Sequence, residues 1–387
     1  MIEFLDLAAD FACVEKQARA RIEDVLASQV FVLGAQTREL EHSLRALAGA
    51  RFAVACSSGS DALYLALLAL GIGPGDAVLV PAFTFFASAG AVVRAGAHPV
   101  FCDIDECSFT AGVEQLAAAV AREFDASLHH RRSGARLRAV VPVHLYGRVA
   151  PMPDIVAWAQ QSGLAIVEDA AQAIGARMAG TMAGTFGEVG CLSFYPTKNL
   201  GGAGDGGMLL TGSEELAARL TRLRVHGADG SYEHVEAGIN ARMNELVAAV
   251  LNAKLERLAG WNERRRRIAE LYAQGLHEPA ASGALVLPAP GLPGEHVWHQ
   301  FAVRIASGRD TVRCRLDRDG IATRVFYPLP LHRQPCFAGY GYAAGDLPAS
   351  EAAASQVLCL PMHPSLSDAD VTLVCERVAA ACAAVSS

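Results

Sequence analysis

The sequence has no excess of basic charge, no long unbroken apolar run, no internal repeat and no cysteine framework, and each absence removes a class of protein. With 33 basic against 40 acidic groups the formal balance is −7, so nothing draws the whole molecule to nucleic acid or to an anionic membrane. An anionic ligand has to be held by a local site. The most apolar stretch, Ala62 to Val93, is broken by GIGPGD and by Pro81, which leaves no segment to span a bilayer. The N-terminal MIEFLDLAADFACVEK carries acids early and lacks the basic and apolar regions of a secretory leader. Ten cysteines are scattered among apolar neighbours, as at Cys191 and Cys359, in a chain too long to need staples, and a reducing cytoplasm fits them best. Cys102 and Cys107 are the nearest pair, yet no second pair at ligand spacing and no HxH element accompanies them, so no metal is expected.

What is present is material for a large folded core. The 387 residues suffice for two or three structural units at roughly 150 residues each. A composition of 52% hydrophobic and 19% charged residues is that of an ordinary globular protein. From about residue 50 to 210, helix-like stretches alternate with the runs FAVAC, AVLVP, PVFCDID, AVVPVHLYG, LAIVEDA and VGCLSF, the rhythm of a mostly parallel sheet covered by helices on both faces. GGMLLTG follows VGCLSF with no room for a crossover helix and is expected to run antiparallel as a seventh strand. A helix from Met243 to Leu258 leads away. Beyond it come a charged helix, the link PAPGLPGEH, a strand WHQFAVRI, a helix from Thr311 to Asp319, a strand ATRVFYPLP and a final helix after Ser367. The expected division is a large α/β domain, 1–255 with its N-terminal segment, and a small α+β domain, 256–387. Glu123 to Arg138 has few apolar residues and reads as an exposed loop or frayed helix end.

In an open α/β sheet, ligands gather at the carboxyl ends of the strands. Ser58 to Ser60, Phe85, His144, Asp169 and Lys198 each follow or end an expected strand, so one topological rule brings them to a single edge. CSSGSDAL puts Gly59 and Ser60 where a helix begins. Its free N–H groups suit a phosphate, although Ser before a helix is equally an N-cap. Asp169 ends an apolar strand, where a carboxylate needs a partner: a pyridinium nitrogen, or the next helix as a cap. Lys198 sits between VGCLSF and the glycines of NLGGAGDGG, and a desolvated lysine there is a candidate for an imine, while a surface lysine in a Gly-rich turn is the plainer reading. Ser193 lies within reach of the same edge.

A phosphate cradle, an acid for a pyridinium, an aromatic to stack and a lysine to make an imine together describe a pyridoxal 5′-phosphate site. The motifs SSGSDAL, PAFTFFAS, PVHLYG, VEDAAQAIGA, SFYPTKNLGGAGDGG and GINARMNELVAA closely resemble those of the DegT/DnrJ/EryC1/StrS family of sugar aminotransferases, and the resemblance runs from MIEFLDL to LPMHPSL. It implies a type I aminotransferase fold, a homodimer with shared sites, and transfer from L-glutamate to a keto sugar of a nucleotide diphosphate. By motif, Lys198 would make the imine, Asp169 would pair with the ring nitrogen, Gln172 would lie near the ring hydroxyl and Phe85 would stack. Gly59, Ser60 and Ser193 would hold the phosphate, with Asn240 reaching it from the partner subunit. Family members with histidine at the lysine position are dehydratases, which Lys198 argues against.

VFYPLPLHRQPCF resembles the YPxPxHxQP stretch of members that act at C-3 of the hexose, so C-3 is favoured over C-4 or a cyclitol ketone. Tyr327 and His332, with His144, are then expected to meet the substrate. Ser60 stands where the family often has Thr, and Ala241 where it often has Tyr or Ser. The run Arg264 to Arg267 reads as a solvated helix face. A cofactor-binding regulator without turnover would be expected to carry a basic nucleic-acid-binding helix, and none is seen. A nicotinamide-dependent dehydrogenase lacks its GxGxxG after the first strand.

Overall fold

The computed structural model describes residues 1–230 and 232–386. Seven strands form the central sheet: Phe52–Cys56 (β1), Asp76–Pro81 (β2), His98–Cys102 (β3), Arg136–Val140 (β4), Ala165–Asp169 (β5), Val189–Ser193 (β6) and Gly207–Thr211 (β7). Their order is β1-β7-β6-β5-β4-β2-β3. β7 runs antiparallel to both its neighbours, and every other pairing is parallel. This is the α/β arrangement expected of the type I aminotransferase fold.

Alternation along each strand feeds two apolar layers. Val78 and Val80 point into the layer that holds Leu63, Ala66 and Val167, whereas Ala77 and Leu79 point into the layer that holds Leu40, Leu44 and Ile166. Both faces are therefore dry, and each fully buried Val or Leu contributes about 1.5–3 kcal/mol. Helix Gly59–Ala69 packs on β6 and β7, and helix Ala35–Ala48 on β1. Close approach at β6 requires glycine: a Cβ on Gly190 would lie 2.0 Å from the Gly184 carbonyl oxygen.

The expected helix from Met243 to Leu258 is shorter, Glu245–Leu255, because Asn244 caps it by accepting from the Leu246 N–H at 2.9 Å. A second helix, Leu258–Gly275, follows at once. The C-terminal part builds a three-stranded antiparallel sheet from Leu285–Val286 (β8), Phe301–Ile305 (β9) and Val357–Leu360 (β10), in that order. Helix Arg309–Arg318 and the last helix, Asp368–Ser386, lie close to their expected positions.

Two expectations fail here, and a third holds in part. ATRVFYPLP is not a strand: Arg324 makes one isolated bridge to Cys359, and Pro328 and Pro330, which have no N–H to give a ladder, keep the rest irregular. The strands that pair with β9 are β8 and β10. WHQFAVRI is a strand only from Phe301, since Trp298 takes a positive φ of 50°. The segment Glu123 to Arg138 follows a helix end and is mostly exposed, as expected, but it is not loose: Phe124 and His130 are buried and bridge one another, and β4 already begins at Arg136. Among the described residues no helix is long and apolar enough to cross a membrane.

Candidate active site

At the carboxyl ends of β1, β2, β5 and β6 lies a cavity of about 710 Å³. One wall is the sheet edge, with Ser58, Gly59, Ser60, Phe85, His144, Asp169, Gln172, Ser193 and Lys198 all lining it. The strand-end rule thus brought together residues up to 140 positions apart in sequence. The opposite wall comes from the N-terminal Glu3–Leu5, from His299 and Gln300, and from Arg324, Phe326 and Tyr327.

Lys198 sits in a tight turn, its N–H donating to the Tyr195 carbonyl at 2.8 Å. The loop is pinned from below: buried Lys254 donates from Nζ to the Gly201 carbonyl at 2.8 Å. Removal from water pushes the Lys198 amine down to about 8, and the nearby Asp169 charge only partly offsets this. The Asp169 carboxylate is fixed by two donors, Ser88 Oγ at 2.7 Å and the Ala171 N–H at 3.2 Å.

Ser58 caps helix Gly59–Ala69, accepting from the Asp61 N–H at 3.0 Å, and the first N–H groups of that helix have no carbonyl partner within it. Gly59 has to be glycine, since a Cβ there would lie 2.6 Å from the Ser193 Cβ; its absence lets Ser193 close against the helix start. Gln172 accepts from the Tyr146 N–H at 2.7 Å and donates to Tyr327 Oη at 3.2 Å, tying the two walls together. Burial pushes the Tyr327 hydroxyl up, so it stays protonated. The Phe85 ring, half exposed, stands 6.0 Å from that of Tyr327.

Two expected substrate contacts need correction. His144 lines the cavity but is fully buried: its Nδ1 accepts from the Ala150 N–H at 3.1 Å, so its proton is on Nε2, which donates to Glu168 at 2.9 Å. Neither nitrogen is left for a substrate. His332 is outside the cavity lining, buried with Nε2 3.0 Å from Glu351, because the Pro-rich segment turns it inward. Asn240 is also away from the cavity in the single subunit. It is exposed, and its Oδ1 accepts from Arg242 at 2.9 Å.

The run Arg264 to Arg267 divides as well. Arg264, Arg266 and Arg267 pair with surface carboxylates, but Arg265 is buried and donates to the carbonyls of Trp298, His299 and Met362. Sequence reading missed Ser88, His299, Gln300 and Arg324. Ser88 was within reach as the last residue of PAFTFFAS, while the other three belong to the wall that no strand-end rule addresses.

The residues present suit pyridoxal 5′-phosphate. A close-packed helix start faces a buried carboxylate and a desolvated amine across one cavity. The sequence profile of the DegT/DnrJ/EryC1/StrS aminotransferase family matches residues 12–379. A UDP-N-acetyl-3-dehydro-alpha-D-glucosamine 3-aminotransferase of Acidithiobacillus ferrooxidans is 42% identical over 96% of both chains. A protein named pleiotropic regulatory protein, from Geobacillus stearothermophilus, is also 42% identical, over 98% of both. The crystal structure of S. venezuelae DesV with a ketimine intermediate superposes with a TM-score of 0.91 at 40% identity, covering 98% of each chain.

Proposed function

The chain belongs to the DegT/DnrJ/EryC1/StrS aminotransferase family, and from that premise we propose that it moves the amino group of L-glutamate to the C-3 ketone of a hexose carried on a nucleotide diphosphate. The observation that carries the reading is the pairing of Lys198, its amine pushed down to about 8, with the fixed Asp169 carboxylate in one cavity. The position C-3 is supported by the A. ferrooxidans relative, a 3-aminotransferase by name.

Pyridoxal 5′-phosphate, when bound, supplies an electron sink for the pair left behind as a proton leaves the amine-bearing carbon. The protein supplies the rest. Lys198 Nζ is the group that would take the proton from that carbon and hand it on to the cofactor carbon, and an amine lowered to about 8 suits both taking and giving. Asp169 holds a negative charge for a cationic ring nitrogen, and the two donors on it keep the carboxylate from turning away. Gly59, Ser60 and Ser193 would hold the phosphate at the helix start, Phe85 would cover the ring, Gln172 would meet the ring hydroxyl, and Tyr327 would stand toward the sugar. Asn240, whose oxygen in one subunit accepts from Arg242, would serve the partner's phosphate through its amide nitrogen in a homodimer with shared sites. The scattered cysteines, six of them buried, suit a reducing cytoplasm.

The test uses the cofactor-loaded protein. Glutamate is expected to convert its yellow absorbance to that of the pyridoxamine form, and a 3-keto nucleotide sugar to restore it faster than a 4-keto one. A protein that glutamate leaves unchanged, or that a 4-keto sugar restores faster, contradicts the proposal.

A further inference from the structure

More acids than bases line the cavity, although each reactant proposed for it is an anion. Glu3, Asp169 and Asp205 stand against Lys198 and Arg324. The two histidines of the lining add no charge: the hydrogen bonds of His144 fix it as the neutral imidazole, and burial holds His299 far below its ordinary range. Lys198 is committed to the nitrogen chemistry. Among the lining residues that leaves Arg324 as the one lysine or arginine without a task.

The Arg324 side chain is held and yet not neutralised. Its main chain exchanges two hydrogen bonds with Cys359 of β10, at 2.8 and 3.1 Å, which fixes where the side chain leaves the wall. Nη1 donates to the Thr323 carbonyl at 2.9 Å, and Cζ stands 5.6 Å from the centre of the Phe4 ring, itself part of the cavity lining. Phe4 meets Phe326 edge-on at 6.0 Å, and Phe326 lines the same wall. Arg324 is exposed, and among the described residues it makes no ion pair, even with Glu3 on its own wall. Only one N–H of the guanidinium is used. The planar fork of the others can meet two oxygens of one carboxylate or phosphate.

We propose that Arg324 is the receptor for the anionic oxygens of a reactant, on the wall opposite the sheet edge. Both reactants carry such a group within a few bonds of the carbon that exchanges nitrogen: glutamate a carboxylate, and a hexose 1-diphosphate its first phosphate. They occupy the cavity at different times, so one cation can serve each in turn. A chain of net charge −7 draws neither anion in by its overall field, and the attraction has to be local. A guanidinium already set against Thr323 and Phe4 loses little freedom when it binds.

The assignment rests on the nucleotide-sugar reading above, and the test separates the two. Arg324→Gln removes the charge, Arg324→Ala replaces it should the glutamine variant not fold, and Arg324→Lys keeps the charge without the fork. The cofactor-loaded proteins are given glutamate, its neutral isostere glutamine and a 3-keto nucleotide sugar, and calorimetry follows binding of the nucleotide diphosphate alone. In the Arg324→Gln protein kcat/KM for at least one anionic reactant is expected to fall about 10–100-fold, with the denaturation midpoint unchanged, and Arg324→Lys should recover part of the loss. The advantage of wild type should shrink in high salt, as for any exposed charge. A fall for glutamate and not for glutamine assigns the side-chain carboxylate, and a fall for both assigns the carboxylate they share. A fall for the nucleotide sugar, with weaker binding of the nucleotide diphosphate, assigns the diphosphate. Rates and affinities all within about twofold of wild type, or a loss that Arg324→Lys shares in full and salt leaves unchanged, overturn the assignment to Arg324 while leaving the functional reading in place. Wild-type protein that accepts nitrogen from glutamate and passes it to no nucleotide sugar contradicts that reading, and Arg324 is then judged by the two amino acids alone.

Discussion

The two walls of the cavity are built by different physics. The sheet-edge wall is set by topology: parallel strands end together, so Ser58, Asp169, Ser193 and the turn of Lys198 arrive at one edge whatever the loops do. The opposite wall is set by packing and by buried hydrogen bonds, with Arg265 holding the carbonyls of Trp298 and His299, and Asn199 holding the His299 ring. In the proposed reaction the first wall carries the groups that would move protons, and the second would position what is brought to them.

If that contrast is right, lesions on the sheet-edge wall should abolish both half-reactions without unfolding the protein. Lys198→Ala should cut turnover by about 10⁴-fold or more with melting little changed, since the residue lines the cavity and is no part of the apolar core. Retention of the glutamate half-reaction would break the comparison at its strongest point. Asp169→Asn should cost about 10²–10³-fold in both directions while the protein stays folded.

The same variant sharpens the electrostatic claim. Burial lowers the Lys198 amine to about 8 and Asp169 raises it, so loss of the aspartate charge should lower it further. Competitive acetylation of the cofactor-free protein across pH reads this directly. Labelling of wild-type Lys198 should rise through about pH 8, where the charged form gives way to the neutral amine, and labelling in the Asp169→Asn protein should rise at lower pH. A Lys198 that titrates near the ordinary lysine value of about 10.5 would contradict the desolvated site.

Lesions in the support of the opposite wall should act on stability first. Arg265 is buried, its guanidinium lowered to about 10 by burial, and it serves three carbonyls from outside the cavity lining. Arg265→Met should cost about 1–3 kcal/mol by leaving those acceptors unpaired, seen as a shifted denaturation midpoint. Its neighbour Arg266, paired on the surface with Glu263 and Glu270, should cost no more than about 0.5 kcal/mol when changed to Ala. Equal effects at the two positions would deny Arg265 its supporting role.

The contrast also explains what could be read from the sequence. Asp169 and Lys198 were legible because a strand-end position carries its own geometric meaning. His299 was not, because what holds its ring is Asn199, 100 positions away in the chain. His332 was misplaced for a related reason: Pro328 and Pro330 turn a segment with strand-like composition into an irregular one that buries the imidazole against Glu351. Arg265 is another such case, since four successive arginines look alike until one is seen beneath the His299 carbonyl.

The central claim, amino transfer through Lys198 to C-3 of a nucleotide hexose, is tested most directly by following nitrogen. The cofactor-loaded protein, given nitrogen-15-labelled glutamate and a mixture of 3-keto and 4-keto nucleotide sugars, should yield a nucleotide amino sugar whose label NMR places on C-3. Label on C-4, or no label in any sugar while 2-oxoglutarate accumulates, would contradict it.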